Sequence, residues 1–492
     1  MNIAGLDVGT TGCKICVYNE NAELLDTRYK EYFANRGENV HEIDFCDIGS
    51  AVFEVIKAAL SKNRVDAIGV TGFGETFALL DEKDRVLLPS MLYTDPRGEE
   101  QVKKLCGALT SDWITEKTGA MPHQMYSIYK LMWLKENRVE EFKKARAALL
   151  SEDYIVYLLT GNRKIDYSLA ARTGAFDIEK KCWINDVFDA AGIDKNLMSE
   201  PVETGNIAGS ISTAAKEKLG VSYDITVVNG AHDQVAAMIG AGVLKEKTAM
   251  DGTGTVECIP IVLNSIPKSK SMYACGYSVV PFVGGKYACY ALSYTGGAVL
   301  KWFRDNFCQA ESEKAKELNE NVYKLLDGEV PQTPTNLLVK PHFAGAATPY
   351  MDYSQKAAIT GLTLGTTKQE LYKALMEGTA YEIKLNFTLL ERYTKPICSL
   401  RATGGGASSD VWLGIKADVL NTEIAALDCK EVGAAGTAAL AGVAMGVFRT
   451  LHFASAKTAR IRKVFLPDPK RAEFYEKQFK KYSCLYDALK NL

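Results

Sequence analysis

Two distant stretches, IAGLDVGTTGCKICVY at 3–18 and TAMDGTGTVECIPIV at 248–262, follow one pattern. Each has an apolar strand, a turn of glycine and threonine with an aspartate beside it, and a second apolar strand. A chain that opens two segments with the same hairpin is constrained towards two similar halves, and the recurrence places their boundary near residues 240–250. We therefore expect an N-terminal lobe over 1–243 and a C-terminal lobe over 244–492.

Between the hairpins, short β-branched runs alternate with longer periodic segments, which predicts an α/β protein. NIAGLDVG, CKICVYN and AELLDTRYKEY read as consecutive antiparallel strands. DIGSAVFEVIKAALSK sets Ile48, Val52, Val55, Ile56, Ala59 and Leu60 at helical spacing. VDAIGVTGF reads as a buried strand, and TFALLDEKDRVLLPSML as a hairpin turning at Glu82–Asp84. Residues 99–220 read as mostly helical. A strand at 225–229 then runs through Gly230 into a small-residue helix. Tyr475, Phe479, Tyr482, Tyr486 and Leu489 predict an amphipathic helix docked on the protein's own core.

Composition removes several classes of function. With 58 basic and 60 acidic residues the net charge is −2, which gives no electrostatic case for nucleic acid or an anionic membrane. No run approaches the roughly 18 apolar residues of a membrane span, and no basic segment precedes an apolar one at the N-terminus. Twelve scattered cysteines include one C-x-x-C, Cys13 and Cys16, whose side chains on a strand face opposite sides. Reduced, buried thiols and a cytoplasmic protein are the expectation.

The first turn matches neither G-x-x-x-x-G-K-[ST] nor a G-x-G-x-x-G that opens a helix. It still offers converging backbone N–H groups, Gly9 for close approach, the hydroxyls of Thr10 and Thr11, and the charge of Lys14. Asp7 beside an anion needs an intervening cation and suits hydrated Mg2+. Taken alone, the turn equally fits a hairpin whose threonines bond locally. Two further turns, Gly252-Thr253-Gly254 and Gly404-Gly405-Gly406 ahead of a helix, make phosphate binding the better reading. Asp233, between a strand and a helix, lies where a ligand would bind and suits a general base. It equally fits an acid that stabilises a first helical turn. His232 reads as a packing residue. Glu75 in GFGETF, and Asp95 and Arg97 in LYTDPRG, are candidate contacts for a polyhydroxylated substrate or plain loop charges.

The order of these motifs resembles the FGGY carbohydrate kinases of the actin and hexokinase-like ATPase superfamily, over essentially the whole chain. GLDVGTTGCK resembles the family's first phosphate motif. MYSIYKLMWLKEN fits a family signature, and SEDYIVYLLTG and IDYSLAARTGAFD follow in the family's order. GAHDQVAA resembles the catalytic-aspartate motif, DGTGT the second phosphate motif, and GGGASSDVWLGIKADVL the adenosine motif. A second signature fits except at Leu375, where a smaller or β-branched residue is usual.

The resemblance implies two ribonuclease-H-like lobes clasping ATP-Mg2+, with Asp233 deprotonating a substrate hydroxyl. It implies Asp7 on Mg2+ through water, and Gly9, Thr10, Thr11, Lys14, Gly252, Thr253 and Gly254 on phosphates. Gly404, Gly405, Gly406, Ala407 and Ser408 would meet the nucleoside. Glu75, Asp95, Arg97, Tyr126 and Gln234 would meet a small sugar or polyol. A homodimer is the candidate assembly.

GET at 74–76 is similar to the Arg-Glu-Thr of glycerol kinases, with Gly74 in place of arginine. FALLD…YTDPR resembles ketose kinases of the xylulose, rhamnulose or fuculose type, which makes a ketose the expected acceptor. Gly345-Ala346-Ala347-Thr348-Pro349 lacks the charged pair that many members carry there. Glu75 is expected to stand free of any balancing arginine. A glycerol- or erythritol-type polyol kinase is the second reading, and an inactive sugar-binding regulator of the same fold the third.

Overall fold

The computed structural model describes residues 1–491. Its frame is a pair of mixed sheets built on the two hairpins. In the first half, β1 (Ile3–Val8), β2 (Gly12–Tyr18) and β3 (Leu24–Glu31) form an antiparallel meander, with Val8 opposite Cys13 at the turn. Helix α1 (Phe45–Leu60) follows, capped by Asp44, which accepts from the Cys46 N–H. It buries Ile48, Val52, Val55, Ile56 and Ala59.

Strand β4 (Ala67–Gly72), buried throughout, adds parallel to β1. Beyond β5 (Phe77–Leu80) and β6 (Ala147–Leu150), β7 (Ile207–Ser210) and β8 (Thr226–His232) complete the order β7-β8-β4-β1-β2-β3. The turn expected at 82–84 forms around the Asp81 side chain, which accepts from the N–H groups of Lys83 and Arg85. Its arms form a short hairpin, with Asp81 N–H donating to the Arg85 carbonyl, Leu87 N–H to the Leu79 carbonyl and a bridge at Leu80–Val86, while β5 also pairs with β6. Strand β8 also runs further than expected, through Gly230 to His232, and passes directly into helix α2 (Asp233–Gly240).

The second half repeats the plan with β9 (Thr248–Thr253) and β10 (Glu257–Leu263) as the opening antiparallel pair. With β11 (Ser278–Phe282), β12 (Lys286–Ser293), β13 (Ser399–Thr403), β14 (Glu423–Leu427) and β15 (Ile461–Phe465), the order is β11-β12-β10-β9-β13-β14-β15. In both sheets an antiparallel run, three strands in the first and four in the second, leads into two parallel strands. Asp251, Gly252 and Thr253 lie on strand β9, and the turn itself is 254–256.

Helix α3 (Lys368–Leu390) packs against α4 (Asp410–Leu420), while α5 (Val432–Ala444) follows β14. Helix α6 (Pro469–Tyr482) seats Tyr475 and Tyr482 on α3, where their hydroxyls donate to Glu377 and Glu382. The aromatic tail therefore docks on the protein's own core. Cys13 and Cys16 are buried in different apolar clusters, and all twelve cysteines are free. Among the described residues no helix is long and apolar enough to cross a membrane.

Helix α5 belongs to the second half of the chain yet lies across the first sheet. A Cβ on Gly5 would overlap the carbonyl of Ala434, and one on Gly69 the carbonyl of Thr437. Helices α2 and α5 cross as closely: Gly240 faces the Val432 carbonyl and Gly436 the Ala236 carbonyl, each with no room for a methyl group. Such contact needs glycine for space, at a cost in helix propensity. Gly436→Ala should therefore lower stability by about 1–3 kcal/mol through overpacking. Gly414→Ala, on α4 with nothing within 4 Å of the new methyl, should be neutral or stabilising. Chemical denaturation of the two variants reads the difference in sign.

Candidate active site

Asp233 is the first residue of α2, at the carboxyl end of β8, because the strand enters the helix without a loop. Its side chain is 31% exposed, and its Oδ1 lies 3.2 Å from Nε2 of His232. Burial, with Asp7 and Glu75 adding negative charge, pushes the Asp233 carboxyl up to about 7. His232 is buried, and its Nδ1 is 3.3 Å from the Tyr290 hydroxyl. Burial and the Arg172 charge hold it well below the ordinary histidine value. It is a neutral neighbour of Asp233, in keeping with a packing residue. Gln234, half-buried, hydrogen-bonds the Asp233 carboxylate and lowers it.

Glu75 is not free of a balancing arginine. Arg172 Nε donates to its Oε1 at 2.7 Å, and both side chains are buried. The Arg172 guanidinium also bonds Ser278 Oγ at 3.2 Å and lies 5.2 Å from the centre of the Tyr126 ring. Glu75 is raised by burial against the pull of Arg172. Arg172 lies far from Glu75 in the chain, and only its hydrophobic setting in LAARTGAF hints that it needs a buried partner.

Asp95 and Arg97 are not loose loop charges. Asp95 is 1% exposed, and its oxygens accept from the Arg97 guanidinium, the Arg97 N–H and the His41 N–H. Arg97 also reaches Glu42 at 2.6 Å, and Lys130 donates to the Asp95 carbonyl at 3.0 Å. Both Asp95 oxygens therefore have protein donors, and the pair is ordered rather than loose. Tyr93, two residues earlier, was not singled out in the sequence. Burial, Glu75 and Asp233 all raise its phenol, which places it beside the pair.

The first phosphate turn is open to solvent at Thr11 and closed by Gly9 N–H donating to the Gly12 carbonyl at 3.0 Å. Arg36, also missed, donates to Thr10 Oγ1 at 3.3 Å and gives the turn a cation. Lys14 instead binds Glu431 at 2.5 Å, which ties β2 to the start of α5. Asp7 lies against the first turn of α5, where a Cβ on Gly433 would overlap its Oδ2. Burial raises the Asp7 carboxyl to about 6, with Lys14 opposing and Glu431 adding to the rise.

In the second turn, Gly252 and Gly254 keep accessible backbone. The Thr253 hydroxyl is turned inward, bonded to Asp251, Glu257 and Lys416, and the residue is 1% exposed, which leaves Gly252 and Gly254 as the accessible members of the turn. At the third, Gly404, Gly405 and Ser408 are exposed and Ala407 is buried. Gly405 and Gly406 open a short 3-10 turn over Gly405–Ser408 that leads into α4, whose cap is Ser409.

The Asp7 charge raises the Asp233 carboxyl, a repulsion that a divalent ion at Asp7 would relieve. Among the described residues no three metal-ligating side chains cluster. Such an ion would take phosphate oxygens and water as its remaining ligands.

Residues 2–240 match the model for the FGGY family of carbohydrate kinases, N-terminal domain, and 254–445 match its C-terminal domain. The chain is 27% identical to a xylulose kinase of Bacillus subtilis, covering 100% of this chain and 97% of that one. It is 29% identical to a glycerol kinase of Thermococcus gammatolerans, covering 94% and 93%. Two solved structures from Lactobacillus acidophilus, described as a ligand-bound xylulose kinase and a gluconate kinase, each superpose with a TM-score of 0.90. Both are 26% identical, with 99% of this chain and 98% of theirs covered.

Gly433→Ala tests the seat of Asp7. The added methyl should displace that carboxylate and lower kcat/KM for ATP about tenfold or more, equivalent to ~1.4 kcal/mol of transition-state stabilisation. A thermal midpoint within a few degrees of wild type would show that the loss is local, and unchanged kinetics would contradict the assignment.

Proposed function

The chain belongs to the FGGY family of carbohydrate kinases and is an ATP-dependent sugar kinase, and on that premise we propose that its acceptor is a neutral ketose of the xylulose, rhamnulose or fuculose type. Asp233 acts as the general base. The observation that carries this reading is the raised Asp233 carboxyl at the carboxyl edge of β8, flanked by the Glu75–Arg172 pair.

Asp233 accepts the proton of the acceptor hydroxyl as its oxygen bonds to the γ-phosphorus and the bond to the β–γ bridging oxygen breaks. ADP leaves, and the proton passes from Asp233 to solvent. With the tautomer in which Tyr290 donates to Nδ1, His232 presents its Nε2–H to Asp233 and fixes the carboxylate. Asp7 is the residue to hold Mg2+ through water, and the ion when bound neutralises phosphate charge. The turns at 9–11, with Arg36, and at 252–254 receive the phosphates. The 404–408 turn takes the nucleoside. Closure of a lobe over 1–243 on one over 244–492 would exclude water, which would otherwise take the sugar's place.

A neutral acceptor is favoured over a sugar acid by charge. Asp7, Glu75 and Asp233 surround the acceptor position, and the buried Arg172 is already engaged by Glu75 and Ser278. A substrate carboxylate would be desolvated without a free cation. The hydroxyls of a ketose would bond Gln234, Tyr93 and the free edge of Glu75. A linear polyol is the second reading, supported by Glu75-Thr76 and by the glycerol kinase likeness. Twelve unpaired cysteines support a reducing compartment and a cytoplasmic protein.

ADP release measured against ketoses, glycerol and gluconate should give a neutral ketose the highest kcat/KM, about 100-fold or more above gluconate. A gluconate preference would overturn the charge argument. A base that must be deprotonated loses activity in acid, so kcat/KM for the sugar should fall about tenfold per pH unit below pH ~7 and level above it. Asp233→Asn should remove that limb and lower kcat by about 10²–10⁴-fold.

A further inference from the structure

Lys416 is among the most enclosed charges in the molecule. It sits on α4 with its side chain 1% exposed, and its ammonium spends all three donors on one short stretch. It binds Asp251 Oδ2 at 2.6 Å, Glu257 Oε1 at 2.5 Å and Thr253 Oγ1 at 2.8 Å. Burial works against its charge, but the two carboxylates outweigh that and hold it above the ordinary lysine value. Glu257 Oε2 is left without a partner.

The echo between the hairpins makes this cluster conspicuous. In the first hairpin the lysine–carboxylate pair, Lys14 with Glu431, is part-exposed, with 27% and 33% of its side chains open, whereas Lys416, Asp251 and Glu257 are fully enclosed. A buried ion pair is often no more stable than apolar residues of like volume, so stability alone does not account for Asp251, Glu257 and Lys416. What the cluster does fix is geometry. Its three anchor points flank the turn at 254–256, and Thr253 in turn touches the third glycine turn. A Cβ on Gly404 would lie 2.6 Å from the Thr253 carbonyl, and one on Gly406 2.5 Å from Thr253 Cγ2.

We propose that Lys416 is a positioning residue of the nucleotide site: it braces residues 251–257 against α4, so that the second phosphate turn and the 404–406 turn keep one spacing for ATP. The inference rests on the reading of 252–254 as a phosphate-binding turn. Lys416 does not touch the acceptor region, so it governs nucleotide and not sugar.

The test replaces the charges by neutral side chains. Lys416→Met combined with Glu257→Met and Asp251→Asn should fold, raise KM for ATP about tenfold and leave KM for the sugar unchanged. Asp251→Asn, which keeps the shape and weakens the brace, should raise KM for ATP about threefold in the same selective way. This single variant decides alone if the combined one fails to fold. A wild-type KM for ATP in these variants overturns the proposal, as does an equal rise in both KM values. Gly254→Val is run beside them as a probe of the turn, since a new Cβ there meets nothing closer than 3.6 Å. If it raises KM for ATP while the Lys416 and Asp251 variants do not, the brace alone is wrong. If it also has no effect, the phosphate-turn reading fails with it.

Discussion

The closeness of two helices governs this structure. Helices α2 and α5 cross with backbone against backbone at Gly240 and Gly436, and α5 presses equally hard on β1 and β4 at Gly5 and Gly69. Each helix has a candidate site acid at its N-terminal end. The first residue of α2 is Asp233, and the first turn of α5 holds Asp7 in place beside Gly433. The distance between the two carboxylates is therefore set by helix packing, in which a single methyl group is felt. Loops contribute the turns that meet the ligand, but rigid elements place the acids.

Once placed, the acids oppose one another. Asp7 and Glu75 both raise Asp233, and burial raises all three. The protein relieves part of that strain at Glu75 with Arg172 and tolerates the rest. The unrelieved part is what the proposed roles would use: an Asp233 carboxyl raised towards neutrality as the base, and an acidic setting at Asp7 that would favour a divalent cation with its phosphates. On the proposed function, the same imbalance would weigh against an anionic acceptor, so selectivity and basicity would share one electrostatic origin.

The hairpins, the small-residue helix after β8 and the position of Asp233 were legible because they depend on local pattern: strand periodicity, glycine turns and a strand-to-helix junction. The partners of those residues were not. Glu75 finds Arg172, and Lys14 finds Glu431, across long stretches of chain. No spacing rule links such residues. Thr253 shows the same limit from the other side. Its hydroxyl looked like a phosphate donor until Lys416, from a helix after β13, claimed it from within. Asp95 and Arg97 have side chains suited to a sugar, but the fold closes them on each other. Tyr93 and Arg36 carried no signal beyond their neighbours.

The reach of α5 has a consequence for how the chain is made. The strands of the first sheet are complete once His232 has been synthesised, but the helix that covers β1 and β4 spans 432–444. At ordinary elongation rates roughly 10 to 40 s separate the two. Through that interval Gly5 and Gly69 lie on a bare sheet face, and α2 has no partner to cross. The first half of the chain therefore waits on the ribosome for a cover delivered almost last, and its exposure to chaperones and to other nascent chains is set by the order of translation.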